Sequence, residues 1–99
     1  MIVDMETYRE MNLEMDGYHI PTHMRKALIE WIVMAVPPGN FLSAVLKNDL
    51  TEAVGRADDI NIDALPRYIK YLYNKAPSQC WGSLERFSSW KGMPVDERV

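Results

Sequence analysis

One cysteine, two histidines and no surplus of basic residues are the shortages of this sequence, and each closes off a class of function. A lone thiol, Cys80, can form neither an internal disulfide framework nor a cysteine-based zinc site. That usage suits a reducing compartment. His19 and His23 have the spacing of paired ligands on a helix, but Pro21 stands between them and no glutamate completes a metalloprotease pattern. They read as surface or capping residues, so no metal and no cofactor is expected. Eleven Lys and Arg against fourteen Asp and Glu leave a net charge of −3. A broad phosphate-contacting face needs the opposite balance, which counts against nucleic acid as a partner. A single basic pocket for a small anion is still compatible with it. The longest strongly apolar run, residues 32–36, falls far short of the roughly 20 residues that span a bilayer. Asp4, Glu6, Arg9 and Glu10 crowd the N-terminus, unlike a signal peptide. No membrane partner is expected, and the expected location is the cytoplasm.

What is present is apolar and helically spaced. The 99 residues are 47% hydrophobic and 25% charged, the composition of one ordinary globular domain. A core this small leans on its aromatic rings, three Trp, five Tyr and two Phe. Seven methionines either fill gaps in that core or provide an adaptable binding surface. Residues 1–19 form an N-terminal arm or a short helix. A helix over 5–15 would put Tyr8, Met11, Asn12 and Met15 on one face. Pro21 then suits a helix start, and Met24, Ala27, Leu28, Trp31, Ile32 and Ala35 follow at amphipathic spacing. Ile29, Val33 and Val36 add a second apolar stripe, so this helix is central in its domain or covered by another copy. In so small a domain, self-association is expected to contribute.

Pro37-Pro38-Gly39 ends that helix, and Asn40 is the expected N-cap of the next. Apolar phase runs through residues 41–57, yet Asp49 with Glu52 reads as a capping box. The run is therefore one long helix or two, with a break near Asn48 preferred. Residues 58–61 read as a polar hinge. Asp63 is the expected cap of the last long helix, with Pro66 in its first turn and Leu65, Tyr68, Ile69, Leu72 and Tyr73 as its apolar stripe. Ser83 caps a short helix carrying Leu84, Phe87 and Trp90, and residues 92–99 form a polar tail. No window alternates long enough for a strand. The expected fold is all-α, a small single-domain bundle of about three to five helices over residues 20–91.

No catalytic constellation emerges. Cys80 lies between Gln79 and Trp81, with nothing in sequence to lower its pKa, and reads as a small buried hydrophobe. Asp49, Asp58, Asp59 and Asp63 already have capping or turn roles, and the glycines follow no phosphate-loop pattern. The candidate ligand face is on the last long helix, where Arg67, Lys70, Tyr71 and Asn74 recur at three-and-four spacing. Two cations, a ring and an amide could hold a phosphate and stack a base. Trp81 and Arg56 would join if the chain folds back. The same set also suits a plain solvated helix face.

Four strings carry a resemblance. They are Ile20-Pro21-x-His23-Met24, then Pro37-Pro38-Gly39-x-Phe41-Leu42-x-Ala44-Val45-Leu46-x-Asn48-Asp49-Leu50, then Ala57-Asp58-x-x-Asn61, and Tyr71-Leu72-Tyr73-Asn74-x-x-Pro77-x-x-Cys80-Trp81-Gly82-Ser83. Over about residues 20–90 the chain resembles a family of small bacteriophage and prophage accessory proteins that has no assigned activity. The resemblance implies a setting, in which short phage proteins bind and block host machinery, and it assigns no residue a role. The leading expectation is a non-enzymatic protein that antagonises host defence by binding. In its most concrete form it is a helical homo-oligomer sequestering a small anionic nucleotide, with Arg67 and Lys70 on phosphate and Tyr71 or Trp81 on the base. The alternative is an interaction module that blocks a host or phage protein. A small transcriptional regulator comes third.

Overall fold

The computed structural model describes residues 3–93, and among them the regular structure is entirely helical. Six α-helices, α1 (Met5–Gly17), α2 (Thr22–Met34), α3 (Asn40–Leu46), α4 (Leu50–Arg56), α5 (Asp59–Lys75) and α6 (Leu84–Ser89), are joined by a 3₁₀ turn at Ser78–Cys80. The all-α class is as expected. Five of the six lie within residues 20–91, as expected, and the sixth is the N-terminal arm, which is helical.

Asp4 opens α1 by accepting the Thr7 amide at 3.2 Å. Met15 at the far end of α1 is fully buried, with Tyr8, Met11 and Asn12 half-buried on the same face. The joint to α2 is locked by Arg25. Its guanidinium lies in the interior, donating from Nε to the Ile20 carbonyl at 2.8 Å and from Nη2 to Asp16 at 3.2 Å.

Around α2 the rest of the chain is wrapped. Leu28, Ile29, Trp31, Ile32 and Val33 are all at most 3% exposed, so both of its apolar stripes are covered within one chain. The expectation that a second copy would cover this helix therefore does not hold for the helix itself. Only Val36, beyond its end, remains open. Ala35 leaves the helix at φ +57°, and Val36 donates back to Glu30, a Schellman-type ending that precedes the two prolines.

The remaining carbonyls at the C-terminal end of α2 are met by the end of the described chain. The Trp90 indole N–H lies 3.0 Å from the Trp31 carbonyl and 3.1 Å from that of Ile32. The Met93 amide donates to Val33 at 3.0 Å. Helix ends need such partners when they are buried. Gly92 and Met93 are thus docked where a polar tail was expected, while residues 94–99 of that tail lie outside the described residues.

Asn48 breaks the 41–57 run at φ +62°, a conformation asparagine tolerates better than most residues. Asp49 then starts α4 by accepting the Glu52 amide at 3.2 Å. Two expected caps are displaced. Gly39 occupies the cap position of α3 and Asn40 its first turn, without a side-chain capping bond. Asp58, not Asp63, caps α5, accepting from the Asn61 amide at 2.8 Å. The expected hinge at 58–61 is therefore the cap and first turn of α5, and Pro66 sits inside the helix. The reason is that Asp58 stands three residues before a free amide, the spacing a capping carboxylate needs, and so it starts the helix earlier.

Candidate interaction surface

The six residues of the expected ligand face do not form one site. Tyr71 is 1% exposed and packs edge-on against Tyr18, with centroids 5.7 Å apart. Burial raises the pKa of its hydroxyl, so it stays a protonated core phenol, and its ring is closed to any ligand. Asn74 donates its side-chain amide to the Lys70 carbonyl at 3.0 Å, one turn back on the same helix. Arg67 reaches the His19 carbonyl at 3.3 Å. Arg56 pairs with Glu52 at 2.7 Å on the exposed side of α4. Trp81 lies half-buried against the core. Among the described residues no hydrogen bond, ion pair or ring contact joins Trp81 or Arg56 to Arg67 or Lys70.

The correction has one cause, the phase of α5. The buried side is Asn61, Ala64, Tyr68, Tyr71 and Leu72, which is itself a three-and-four series. The expected stripe mixed this series with its neighbour. Tyr73, assigned to the core, is 79% exposed, while Tyr71, assigned to solvent, is buried. Asn61 lies inside because Tyr68 donates its hydroxyl to the Asn61 side-chain oxygen at 2.7 Å. A satisfied polar pair of this kind cannot be read from hydropathy.

The other expected non-sites are explained locally. Cys80 is fully buried and its thiol is pushed up to about 12 by desolvation, the opposite of what a nucleophile needs. Its carbonyl accepts the Trp31 indole N–H at 3.0 Å, and Trp31 stacks on Phe87 at 4.5 Å. His19 and His23 are both exposed. Among the described residues no group of His, Cys, Asp and Glu is arranged to hold a metal ion, and no helix is long and apolar enough to cross a membrane.

What the fold does present is an apolar cleft of about 150 Å³ between the α3–α4 corner and α5, lined by Val45, Asn48, Asp49, Leu50, Ala53, Leu65 and Ile69. It exists because α4 buries only Ala53. Leu50, 67% exposed, and Val54 stand open on the α4 side. On the α5 side Ile62, Leu65, Ile69 and Tyr73 form a second apolar stripe, beside the buried one and partly or fully open to solvent. Exposed apolar side chains gathered about a cleft are a common mark of a contact site. A second, more open depression beside Gln79, Glu85, Arg86, Ser89 and Trp90 has mixed charge and no convergent donors.

Comparison with family models, with curated proteins and with solved structures gave no match.

Proposed function

We propose that this chain is a non-enzymatic, phage-type accessory protein that acts by protein–protein contact through the α4–α5 cleft and the stripe beside it. The observation that carries this reading is that exposed Leu50, Val54, Ile62 and Tyr73 stand about an apolar cleft to which partly buried Leu65 and Ile69 add their outer sides. Core demands do not explain the four exposed positions, which stay in water while Leu65 and Ile69 pack partly against the core. Apolar side chains along one helix face are what a helix-in-groove contact uses as anchors.

The resemblance to phage accessory proteins supplies the setting, antagonism of host defence by binding. Nucleotide sequestration is the weaker form of that idea. Its expected stacking ring Tyr71 is a core residue, one arginine is tied to Glu52, and among the described residues neither Arg67 nor Lys70 lies over an aromatic ring. Photo-crosslinking in bacterial cells tests the protein-contact reading. A benzophenone amino acid replacing Leu50 or Tyr73 should give covalent protein adducts, and the same group replacing exposed Lys26 should not. Absence of adducts from both surface positions overturns it, and tight binding of a cyclic nucleotide or ADP-ribose derivative by calorimetry would then favour sequestration.

A further inference from the structure

The charge pattern of α5 says which partner fits its open stripe. Along this helix the acids come first, Asp58 as cap, then Asp59 and Asp63, and the cations follow, Arg67, Lys70 and Lys75. Asp63 and Lys70 lie two turns apart on one flank of the Ile62, Leu65, Ile69, Tyr73 stripe. Both are exposed, and neither forms an ion pair within the described residues. Reversed and laid against itself, such a helix places each acid beside a cation. In an antiparallel pair the same flank of each helix meets its own copy, running in the opposite direction.

From this we infer that the surface is an isologous seam between two copies of this chain, with α5 packed antiparallel on α5. This inference rests on the α4–α5 surface being a protein-contact site. The register follows from the sequence. Ile62 of each copy lies opposite Tyr73 of the other, and Leu65 opposite Ile69. In that same register Asp63 falls beside Lys70 of the second copy, twice over by symmetry. Self-complementarity of both the apolar and the charged positions is the requirement of a two-fold interface. A parallel pairing, or a foreign helix without this charge order, satisfies only the apolar part. Leu50 and Val54 stand at the edge of the cleft where the second copy's helix would extend the buried area. One helix-on-helix seam falls among the smaller interfaces, below about 1,200 Å² in total, the size class of weak and transient contacts.

Sedimentation equilibrium across micromolar to sub-millimolar concentrations tests it, since the monomer is 11.5 kDa. The parent chain should pass reversibly from monomer to dimer. Asp63→Lys and Lys70→Asp each turn two attractions into two repulsions, and each should raise the dimer Kd by about tenfold at low salt. The double variant Asp63→Lys with Lys70→Asp restores the pairing with reversed signs and should return the Kd close to that of the parent. Circular dichroism checks that all three variants remain helical, as exposed positions should. A chain that stays monomeric overturns the inference, and so does a dimer whose Kd ignores all three variants. The two readings fail differently. Crosslinks from Leu50 and Tyr73 to a foreign protein only, from a monomeric chain, remove the self-pairing and leave the contact surface. No crosslink of any kind removes both.

Discussion

Replacing Gly92 with alanine probes the contact between the end of the described chain and α2. Gly92 has φ +92°, where an L side chain is strained. A Cβ built there would meet the Val33 carbonyl oxygen at 2.5 Å and the Met34 Cα at 3.1 Å. Both obstacles are backbone in the last turn of a buried helix, so neither can rotate away. The backbone strain alone costs about 1–3 kcal/mol, and the contact adds to it. Against these stand the interactions that release of the segment gives up, of which two can be sized. The Met93 amide bond to Val33 contributes about 1 kcal/mol, and the half-burial of Met93 about as much. The strained contact should therefore give way, and the segment should lift off while the rest of the domain stays folded. The loss then saturates near 2 kcal/mol, about 10 °C in Tm for a chain of this size. Urea unfolding followed by tryptophan fluorescence measures it, and a chain ended at Lys91 should be destabilised by a similar amount. If Gly92→Ala stays within about 0.5 kcal/mol of the parent, the scale of a neutral surface change, the docking of this segment on α2 is wrong.

Three other expectations follow from buried polar groups. Tyr68→Phe leaves the Asn61 side-chain oxygen without its 2.7 Å donor inside the core and should cost about 1–3 kcal/mol in urea, whereas Tyr73→Phe, at an exposed ring, should cost almost nothing. Arg25→Met removes the ties to Ile20 and Asp16 and should cost about 2 kcal/mol, with amide exchange accelerating first in α1. Cys80 has its thiol raised from 9.0 to about 12 by burial, so the folded protein should resist thiol reagents at pH 8 until it is denatured. The same shift has a definite sign for stability. The folded state keeps a proton that the unfolded chain releases, so stability is full below pH 9 and declines as pH rises towards 12. Tyr68 and Tyr71, raised from 10.0 for the same reason, add to the decline above pH 10. In Cys80→Ala the onset seen in urea midpoints should move from about 9 to about 10.

The helices were legible where apolar spacing met a clear stop. The α2 stripe, the proline pair after it, the break at Asn48 and the Ser83 cap all come from residues whose local conformational preference agrees with their tertiary role. The start of α5 was misplaced although a local signal existed, since Asp58 has the Asn61 amide three residues on, whereas the residue three after Asp63 is Pro66, which has no amide to give. Its phase was lost for a different reason. Two three-and-four series lie side by side on this helix, both apolar enough to be core, and the buried one includes Asn61. Hydropathy counts Asn61 against burial, while the Tyr68 hydroxyl makes burial affordable. The docking of Trp90 and Met93 was equally hidden. Their partners are carbonyl oxygens at the end of α2, and backbone acceptors leave no trace in side-chain sequence.

The misread phase also relocates the argument about association. Self-association was expected because α2 is apolar on two sides, and that reason disappears once Leu28, Ile29, Trp31, Ile32 and Val33 are buried within a single chain. A helix with two apolar faces is nonetheless present, one element later. In α2 both faces are used up by a chain of this length. In α5 only one is, because α4 is too short and too shallowly seated to cover the other, burying Ala53 alone and leaving Leu50 and Val54 in water. An open face on a helix whose acids precede its cations is matched, in both shape and sign, by the same helix reversed. The physical case for association is therefore stronger on α5 than it was on α2, since it rests on charge order as well as on exposed apolar area.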